Sequence, residues 1–278
     1  MLPTAALPAP AETGIHLVVF DAGKVFINFD WAKGAQWLAD QCNVPLADAQ
    51  RYTSQKGAPE LDGGQGIIAQ YEEGGIPRDQ ALNVLRTRIN AWLATIDGAT
   101  LLADDQAVLD FFNAGWGEPI PETTLMMKRL LRSGYKVVIG TNTSPIHKAH
   151  LQSVLAQAGL GGITIYASCD LGVGKDQTDF FEQVAAGEGE SLDRTVMIDD
   201  SSAVTNVAEQ AGVGVALTFQ PDRPGDAIGE FESSLTVRAD EAEQVRGRPA
   251  ADMRRAARSP SVRSRNLSEL REVVAESR

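Results

Sequence analysis

The amino-acid sequence predicts an α/β fold in which a parallel sheet is interrupted by an inserted all-helical domain. From residue 121 to residue 219, apolar runs of strand length alternate with helical patterns, and repeated strand–helix–strand order is typical of parallel sheets with right-handed crossovers. Residues 31–117 instead show helical periodicity and no convincing strand. Together these observations predict a Rossmann-like core that carries a helical insertion.

The first strand of the core is predicted at residues 16–20, where Leu17, Val18, Val19 and Phe20 form an unbroken apolar run. Such a run is typical of a strand that is buried on both faces. Asp21 follows it directly. Because a carboxylate at the end of a buried strand is costly unless its charge is used, Asp21 is the first candidate functional residue.

The insertion is predicted to contain at least three helices. Ala35, Leu38 and Cys42 share one helical face near its start. A short helix is indicated around residues 67–71. A longer amphipathic helix is indicated at residues 78–95, where apolar residues recur mostly at spacings of three and four.

The second half of the chain supplies the remaining elements of the sheet. A helix is predicted to begin at Pro121 and to end before Gly134, because proline suits a first helical turn and glycine suits a C-terminal cap. The pattern then predicts strands at 136–140, 163–167, 195–199 and 213–219, with helices at 146–158, 178–186 and 202–211.

These patterns set the expected domain boundaries. Residues 15–30 and 118–220 are assigned to the α/β core, and residues 31–117 to the helical cap. Residues 1–14 are predicted to be a disordered leader, since they contain neither a basic residue nor the long apolar run of a signal peptide. Residues 221–278 are predicted to be a low-complexity, disordered tail, with a short helix at 267–275 as its one helical candidate.

Composition narrows the classes of partner. The chain has a net charge of −12, and its Arg-rich end from Arg238 onward makes the rest more acidic still, which argues against a nucleic-acid partner. No apolar run is long enough to span a bilayer, so no membrane partner is expected. Cys42 and Cys169 give neither a disulfide framework nor a metal-ligand spacing. A cytoplasmic location is expected.

Polar residues follow three of the predicted strands. Asp21 ends the first, Thr141 and Asn142 end the second, and Asp199 and Asp200 end a later one. Because ligands bind beyond the carboxyl ends of strands in open parallel sheets, these side chains are expected to converge on one site.

The elements that carry these residues resemble the haloacid dehalogenase superfamily. The resemblance covers roughly residues 15–219 and points to phosphatases whose helical cap, of the C1 type, is inserted after the first strand. Within them, the chain is similar to the subgroup of bacterial glucose-1-phosphate phosphatase, whose first motif also has glycine two places after the nucleophile. The matching segments are Phe20-Asp21-Ala22-Gly23, Gly140-Thr141-Asn142, Asp170-Leu171-Gly172-Val173-Gly174-Lys175 and Ile198-Asp199-Asp200.

The resemblance implies a Mg²⁺-dependent phosphatase that acts on a small phosphorylated metabolite, with sugar phosphates among the candidates. Asp21 would be the nucleophile and would form an aspartyl-phosphate. The Mg²⁺ ligands would be Asp21, the backbone carbonyl of Gly23 and one of Asp199 or Asp200.

Two further motifs would handle the phosphate. The resemblance implies that the Thr141 hydroxyl and the Asn142 backbone N–H hold phosphate oxygens. Lys175 would pair with Asp21 and with the transferring group as a point charge.

The sequence departs from the family pattern at several positions. Gly23 stands where the commonest motif has a second aspartate that protonates the leaving group. Lys24 replaces a small or amide residue, and Asp176 stands where proline is typical and could compete for Lys175. Val204 occupies a place that often carries asparagine, which leaves Asn206 as a substitute two places on.

Two alternative functions stay open, of which the second is motivated by these departures. A 2-haloacid dehalogenase would need no metal, although the paired acids Asp199 and Asp200 would repel an anionic substrate. A catalytically weakened binding protein on the same fold is the other alternative. Residues of the cap would select the leaving group, and its aromatic residues are candidates for a platform or for the cap core: Trp31, Trp37, Tyr71 and Trp92.

Overall fold

The computed structural model describes residues 7–54 and 66–246 of the 278-residue chain. Its centre is a five-stranded sheet in which every strand pair is parallel. The order β5-β4-β1-β6-β7 places the first strand in the middle. This arrangement confirms the predicted α/β class. The strands are β1 (Leu17–Phe20), β4 (Lys136–Thr141), β5 (Thr164–Ala167), β6 (Thr195–Asp199) and β7 (Val215–Thr218).

Twelve α-helices lie in the described ranges and are numbered here in chain order. The first, second and third are α1 (Pro10–Thr13), α2 (Trp31–Cys42) and α3 (Leu46–Ser54). The next are α4 (Ile67–Glu72), α5 (Arg78–Leu93), α6 (Asp105–Asn113), α7 (Pro121–Arg132) and α8 (Pro145–Gln157). The last are α9 (Ser168–Leu171), α10 (Thr178–Glu188), α11 (Ser202–Ala211) and α12 (Pro224–Arg246).

The central strand is buried on both faces, as its apolar run predicts. Alternating side chains point to opposite sides of a strand, so Val18 and Phe20 belong to one hydrophobic cluster, which includes residues of α7, α8 and α12. Leu17 and Val19 belong to a second cluster, which includes residues of α10 and α11. The sheet is therefore covered by helices on both faces. Because neither face meets solvent, the strand is apolar throughout and does not alternate apolar and polar residues.

Helices α2 to α6 form a separate helical insertion with its own hydrophobic cluster. Leu38, Ile89 and Phe111 are fully buried within it. The insertion begins and ends at a two-stranded antiparallel sheet of β2 (Ile27–Phe29) and β3 (Trp116–Pro119). Trp116 and Gly117 were expected in the helical block, but they lie in this second sheet.

The predicted leader is ordered where the structure describes it, which corrects the expectation for residues 7–14. Leu7 is buried in the core cluster. The Tyr135 hydroxyl donates to the carbonyl of Pro8 at 2.7 Å, and Thr13 lies 3.2 Å from the same hydroxyl. These contacts join residues far apart in the chain, so local composition does not reveal them. Residues 1–6 lie outside the described residues.

The predicted disordered tail is wrong for residues 224–246, which form α12. Ile228, Phe231 and Leu235 are buried in the core cluster. Glu232 pairs with Arg129 of α7. One side of the helix packs against the core, so the core extends past residue 220. The rest of the predicted tail, including the helix expected at 267–275, lies outside the described residues.

No helix in the described ranges has the length and apolar character needed to cross a membrane.

Candidate active site

The register of the central strands brings three sequence motifs to one level. Phe20 pairs with Ile139 on one side and with Ile198 on the other. Asp21 and Asp199, the next residues along their strands, therefore lie side by side at the carboxyl edge of the sheet. The backbone N–H of Asp21 donates to the carbonyl of Ile198 at 2.9 Å, which fixes Asp21 to β6.

Three carboxylates meet at this edge. Asp21 and Asp199 are buried, and Asp200 is half-buried. One oxygen atom from each of the three lies within 4.8 Å of the others. The side chain of Asp199 is also held by the following loop, because its Oδ1 accepts a hydrogen bond from the backbone N–H of Ser201 at 2.9 Å.

Lys175 lies in the middle of this cluster. Its ammonium group is buried, pairs with Asp21 and lies 2.7 Å from Oδ2 of Asp199. Asp176, considered as a competitor for this lysine, is exposed. The ion pairs of Lys175 among the described residues are those with Asp21 and Asp199.

The loop that carries Lys175 is held by the motif after β4. Oδ1 of Asn142 accepts a hydrogen bond from the backbone N–H of Lys175 at 2.8 Å. A larger residue at Gly174 would require the exposed Asp176 side chain to move, since a Cβ there would lie 2.6 Å from Oδ1 of Asp176. The family resemblance pointed only to the backbone N–H of Asn142, so this use of its side chain was missed.

Thr141 is buried and lines the same cavity as Asn142. The segment after them is anchored by Ser168, whose Oγ accepts a hydrogen bond from the N–H of Thr143 at 2.9 Å. Ser144 caps the start of α8, because its Oγ accepts a hydrogen bond from the backbone N–H of His147 at 3.5 Å. Ser168 lies in a short helix that no sequence pattern indicated.

The electrostatics of the cluster show an excess of negative charge. Burial raises the pKa of Asp21 to about 7, with Lys175 acting to lower it and Asp199 to raise it. The pKa of Asp200 is also raised, first by burial and then by Asp199, although Lys24 lies 3.7 Å away. Burial opposes the charged form of Lys175, but the two adjacent carboxylates outweigh it and raise the pKa of this lysine.

The positions that depart from the family pattern also lie around the site. Gly23 lines the cavity, and a Cβ added there would meet nothing closer than Cβ of Phe29 at 4.0 Å. Val204 lines the cavity as well, whereas Asn206 is exposed and does not line it. Asn206 therefore does not take the place of an asparagine at Val204.

The carboxylate cluster forms one end of a cavity of about 700 Å³ that extends beneath the helical insertion. Of the four aromatic residues considered as a platform, Trp31 and Tyr71 line it. Trp37 packs against Phe111, and Trp92 stacks on a tyrosine of the insertion, so both belong to the interior of the insertion.

His147 also lines the cavity, and sequence reasoning gave it no role. Its ring centroid lies 5.3 Å from that of Trp116. Burial, and to a lesser extent His150, lowers the pKa of His147 to about 4. The imidazole is therefore neutral at physiological pH and offers a hydrogen-bonding group without charge.

Comparison with known proteins places this geometry in context. Residues 15–212 match the family described as "Hydrolase: haloacid dehalogenase-like hydrolase". The solved structure of HAD family enzyme bt-2542 from Bacteroides thetaiotaomicron is 21% identical with a TM-score of 0.59, covering 74% of this chain and 94% of that one.

A second structure of that enzyme, in complex with magnesium and inorganic phosphate, is 20% identical with a TM-score of 0.57, covering 75% of this chain and 96% of that one. The L-2-haloacid dehalogenase of Xanthobacter autotrophicus is 18% identical with a TM-score of 0.52, covering 84% of this chain and 100% of that one. At such identities these structures establish likeness of fold alone.

Proposed function

Because the chain belongs to the haloacid dehalogenase-like hydrolase family, we propose that it is a Mg²⁺-dependent phosphatase that hydrolyses a small phosphorylated metabolite through an aspartyl-phosphate intermediate. The observation that carries this proposal is the cluster of Asp21, Asp199 and Asp200, whose oxygen atoms lie within 4.8 Å of one another. A buried lysine touches two of the three.

The charge of the cluster fits a divalent cation. Three carboxylates face two lysines, Lys175 and Lys24, which leaves one net negative charge when all are ionised. A phosphate dianion would meet repulsion there. Carboxylate and carbonyl oxygens are the ligands that Mg²⁺ prefers, and a bound Mg²⁺ would offset the repulsion between nucleophile and phosphate.

We assign the Mg²⁺ ligands to Asp21, the backbone carbonyl of Gly23 and Asp200. Asp199 is the less available member of the acidic pair, because Lys175 and the N–H of Ser201 already engage its two oxygens. Asp199 then serves to hold Lys175 in place. The sequence left open which of Asp199 and Asp200 binds Mg²⁺, and we assign this role to Asp200.

Asp21 carries the covalent part of both chemical steps. A carboxylate oxygen of Asp21 forms a bond to phosphorus while the bond from phosphorus to the leaving oxygen breaks, and the leaving oxygen takes up a proton from solvent, since Gly23 supplies no acid. Water then attacks phosphorus, loses a proton to solvent and breaks the bond from Asp21 to phosphorus, which releases inorganic phosphate and restores the Asp21 carboxylate. The Thr141 hydroxyl and the Asn142 N–H hold phosphate oxygens, and Lys175 balances their charge.

The magnesium and phosphate complex of the bt-2542 enzyme supports this chemistry for a protein of similar fold. The dehalogenase alternative is supported by the likeness to the Xanthobacter enzyme and by the apolar side chains of the cavity. Charge favours the phosphatase, because a 2-haloacid anion would bind beside three carboxylates whose charge Lys175 and Lys24 offset only in part.

The proposal is tested by two product assays on the purified protein. Phosphate release from p-nitrophenyl phosphate is expected with Mg²⁺ and is expected to disappear with EDTA. Chloride release from 2-chloropropionate is expected to be absent in both conditions. Chloride release without metal would establish the dehalogenase instead, and the absence of both products with intact Mg²⁺ binding would indicate a binding protein.

A further inference from the structure

The cavity beyond the carboxylate cluster has a mostly apolar wall. Side chains of the helical insertion and of the small antiparallel sheet form it, and several are large or aromatic: Trp31, Leu82, Leu85, Leu109, Phe112 and Trp116. This wall is continuous with Asp21 and Lys175, which line the other end of the same space. A group bonded to a phosphate at Asp21 would therefore extend along it.

Few polar groups of the insertion and of its junction with the core face that space: the Glu72 carboxylate, the Tyr71 hydroxyl, the Trp116 indole N–H and the neutral imidazole of His147. Among the described residues that line the cavity, Lys175 is the one cationic side chain, and its carboxylate partners already engage it. The hydroxyl of Thr53 donates to the carbonyl of Ala49 within its own helix at 3.0 Å. A second anionic group on the substrate would find no unpaired cation there.

We propose that the substrate's leaving group is uncharged and apolar, with the size of an aromatic ring, rather than a sugar. This inference rests on the proposed phosphatase function and specifies its substrate class. A sugar carries more hydroxyls than the few polar side chains of this wall can bond, and the hydroxyls that lie against Leu82, Leu85 and Phe112 would lose water without gaining hydrogen bonds. An aromatic ring loses nothing there and gains burial.

Benzyl phosphate and glucose 6-phosphate separate the two kinds of leaving group. Both release a primary alkoxide, so the comparison reports contacts with the cavity rather than a better leaving group. Burial of a phenyl ring favours the benzyl ester by about tenfold to a hundredfold. We expect kcat/KM with Mg²⁺ to be higher for benzyl phosphate by at least about tenfold. An equal or higher kcat/KM for glucose 6-phosphate would overturn the inference and leave the phosphatase function intact.

A pair of matched variants locates the effect. Trp31 and Trp37 lie in the same helix, but only Trp31 lines the cavity. Trp31 is 41% exposed, and its ring also packs against those of Phe29 and Phe112, so Trp37→Ala serves as the control for lost packing. Trp31→Ala is expected to lower kcat/KM for benzyl phosphate about tenfold with little change for methyl phosphate, whereas Trp37→Ala should affect both esters alike. Equal losses for both esters in Trp31→Ala would count against the proposal.

A binding measurement keeps the inference testable if no ester is hydrolysed, which would itself overturn the proposed function. Benzylphosphonate and methylphosphonate, each with Mg²⁺, are titrated against the wild-type protein and followed by tryptophan fluorescence or calorimetry. Binding of benzylphosphonate at least about tenfold tighter, with the preference lost in Trp31→Ala, would uphold the inference. Equal affinities, or no binding of either compound, would overturn it.

Discussion

At the scale of single residues, Asp21 is a buried carboxylate whose negative charge is only partly offset by Lys175. Burial raises its pKa to about 7, and Lys175 opposes that rise without cancelling it. The same lysine is shared with Asp199, so neither carboxylate has a cation of its own. A second positive charge would favour the ionised form of Asp21 that the proposed attack on phosphorus requires.

Asp21→Asn should abolish turnover and leave the fold intact. The amide keeps the shape of the side chain but cannot act as the nucleophile, while Lys175 retains Asp199 as its partner. We expect less than about a hundredth of the wild-type rate, with an unchanged melting temperature. Steady-state phosphate release and thermal denaturation measure the two effects. Asp176→Asn, an exposed neighbour of the site, is the matched control, and a variant at Asp21 that keeps a larger share of the rate would refute its assignment as nucleophile.

Mg²⁺ binding should depend on Asp200. Asp200→Asn removes a half-buried carboxylate whose ion pair with Lys24 is long, at 3.7 Å, and which Lys175 does not contact directly. We expect Mg²⁺ affinity, measured by calorimetry, to fall by about tenfold or more together with activity. Asp199→Asn should instead disturb Lys175 and lower the rate even at saturating Mg²⁺. Wild-type turnover that persists in EDTA would contradict the metal assignment altogether.

At the scale of elements, α12 is a helix with a weak apolar pattern that becomes part of the core through the surface against which it packs. Ile228, Phe231 and Leu235 recur at spacings of three and four, which is a helical stripe. The surrounding residues are largely Gly, Ser, Asp and Glu, so the composition of the segment resembles that of a disordered tail. This stripe is buried because α1 and α7 supply the surface that it covers.

Phe231→Ala should destabilise the whole core. The side chain is 1% exposed, and removal of a buried phenylalanine typically costs about 3–5 kcal/mol. We expect a clear fall in the free energy of unfolding measured with urea. Thr236→Ala, on the exposed side of the same helix, should change it by no more than about 0.5 kcal/mol. Equal stabilities for the two variants would mean that α12 does not dock as described.

At the scale of the whole molecule, the helical insertion is joined to the core beside the active site. The hydroxyl of Ser168 donates to the carbonyl of Glu72 at 2.5 Å, and the same oxygen accepts from Thr143. At the start of α8, Ile146 packs against the cluster of the insertion, and His147 lies against Trp116 and Phe112. The segment that we propose to hold the phosphate is thus also the segment that meets the insertion.

The neutral state of His147 should make this junction sensitive to acid. Its pKa is lowered from 6.5 to about 4 in the folded protein, so the unfolded chain takes up a proton first as the pH falls. Stability from this group is therefore complete above about pH 6.5 and is lost between about pH 6.5 and pH 4. Urea midpoints should fall further over this range for the wild type than for His147→Gln. Parallel pH profiles for the two proteins would show that His147 is not responsible.

The sequence by itself determined the class of fold and the acidic centre of the site. The apolar runs that precede Asp21 and Asp199 can be recognised locally, because the apolar residues of each strand and the carboxylate at its end are consecutive in the sequence. Helix periodicity likewise located α5 and α11 closely. Such features depend on neighbours in the chain, and so they can be read without knowing what lies across the fold.

The tertiary structure decided the rest, because those features depend on residues that are distant in sequence. The Asn142 side chain reaches the backbone of Lys175 across 33 positions, and Tyr135 fixes Pro8 across 127. Trp31 faces the cavity while Trp37, in the same helix, faces the interior of the insertion. Each outcome follows from the surface that the folded chain presents at that point, and neither composition nor periodicity specifies that surface.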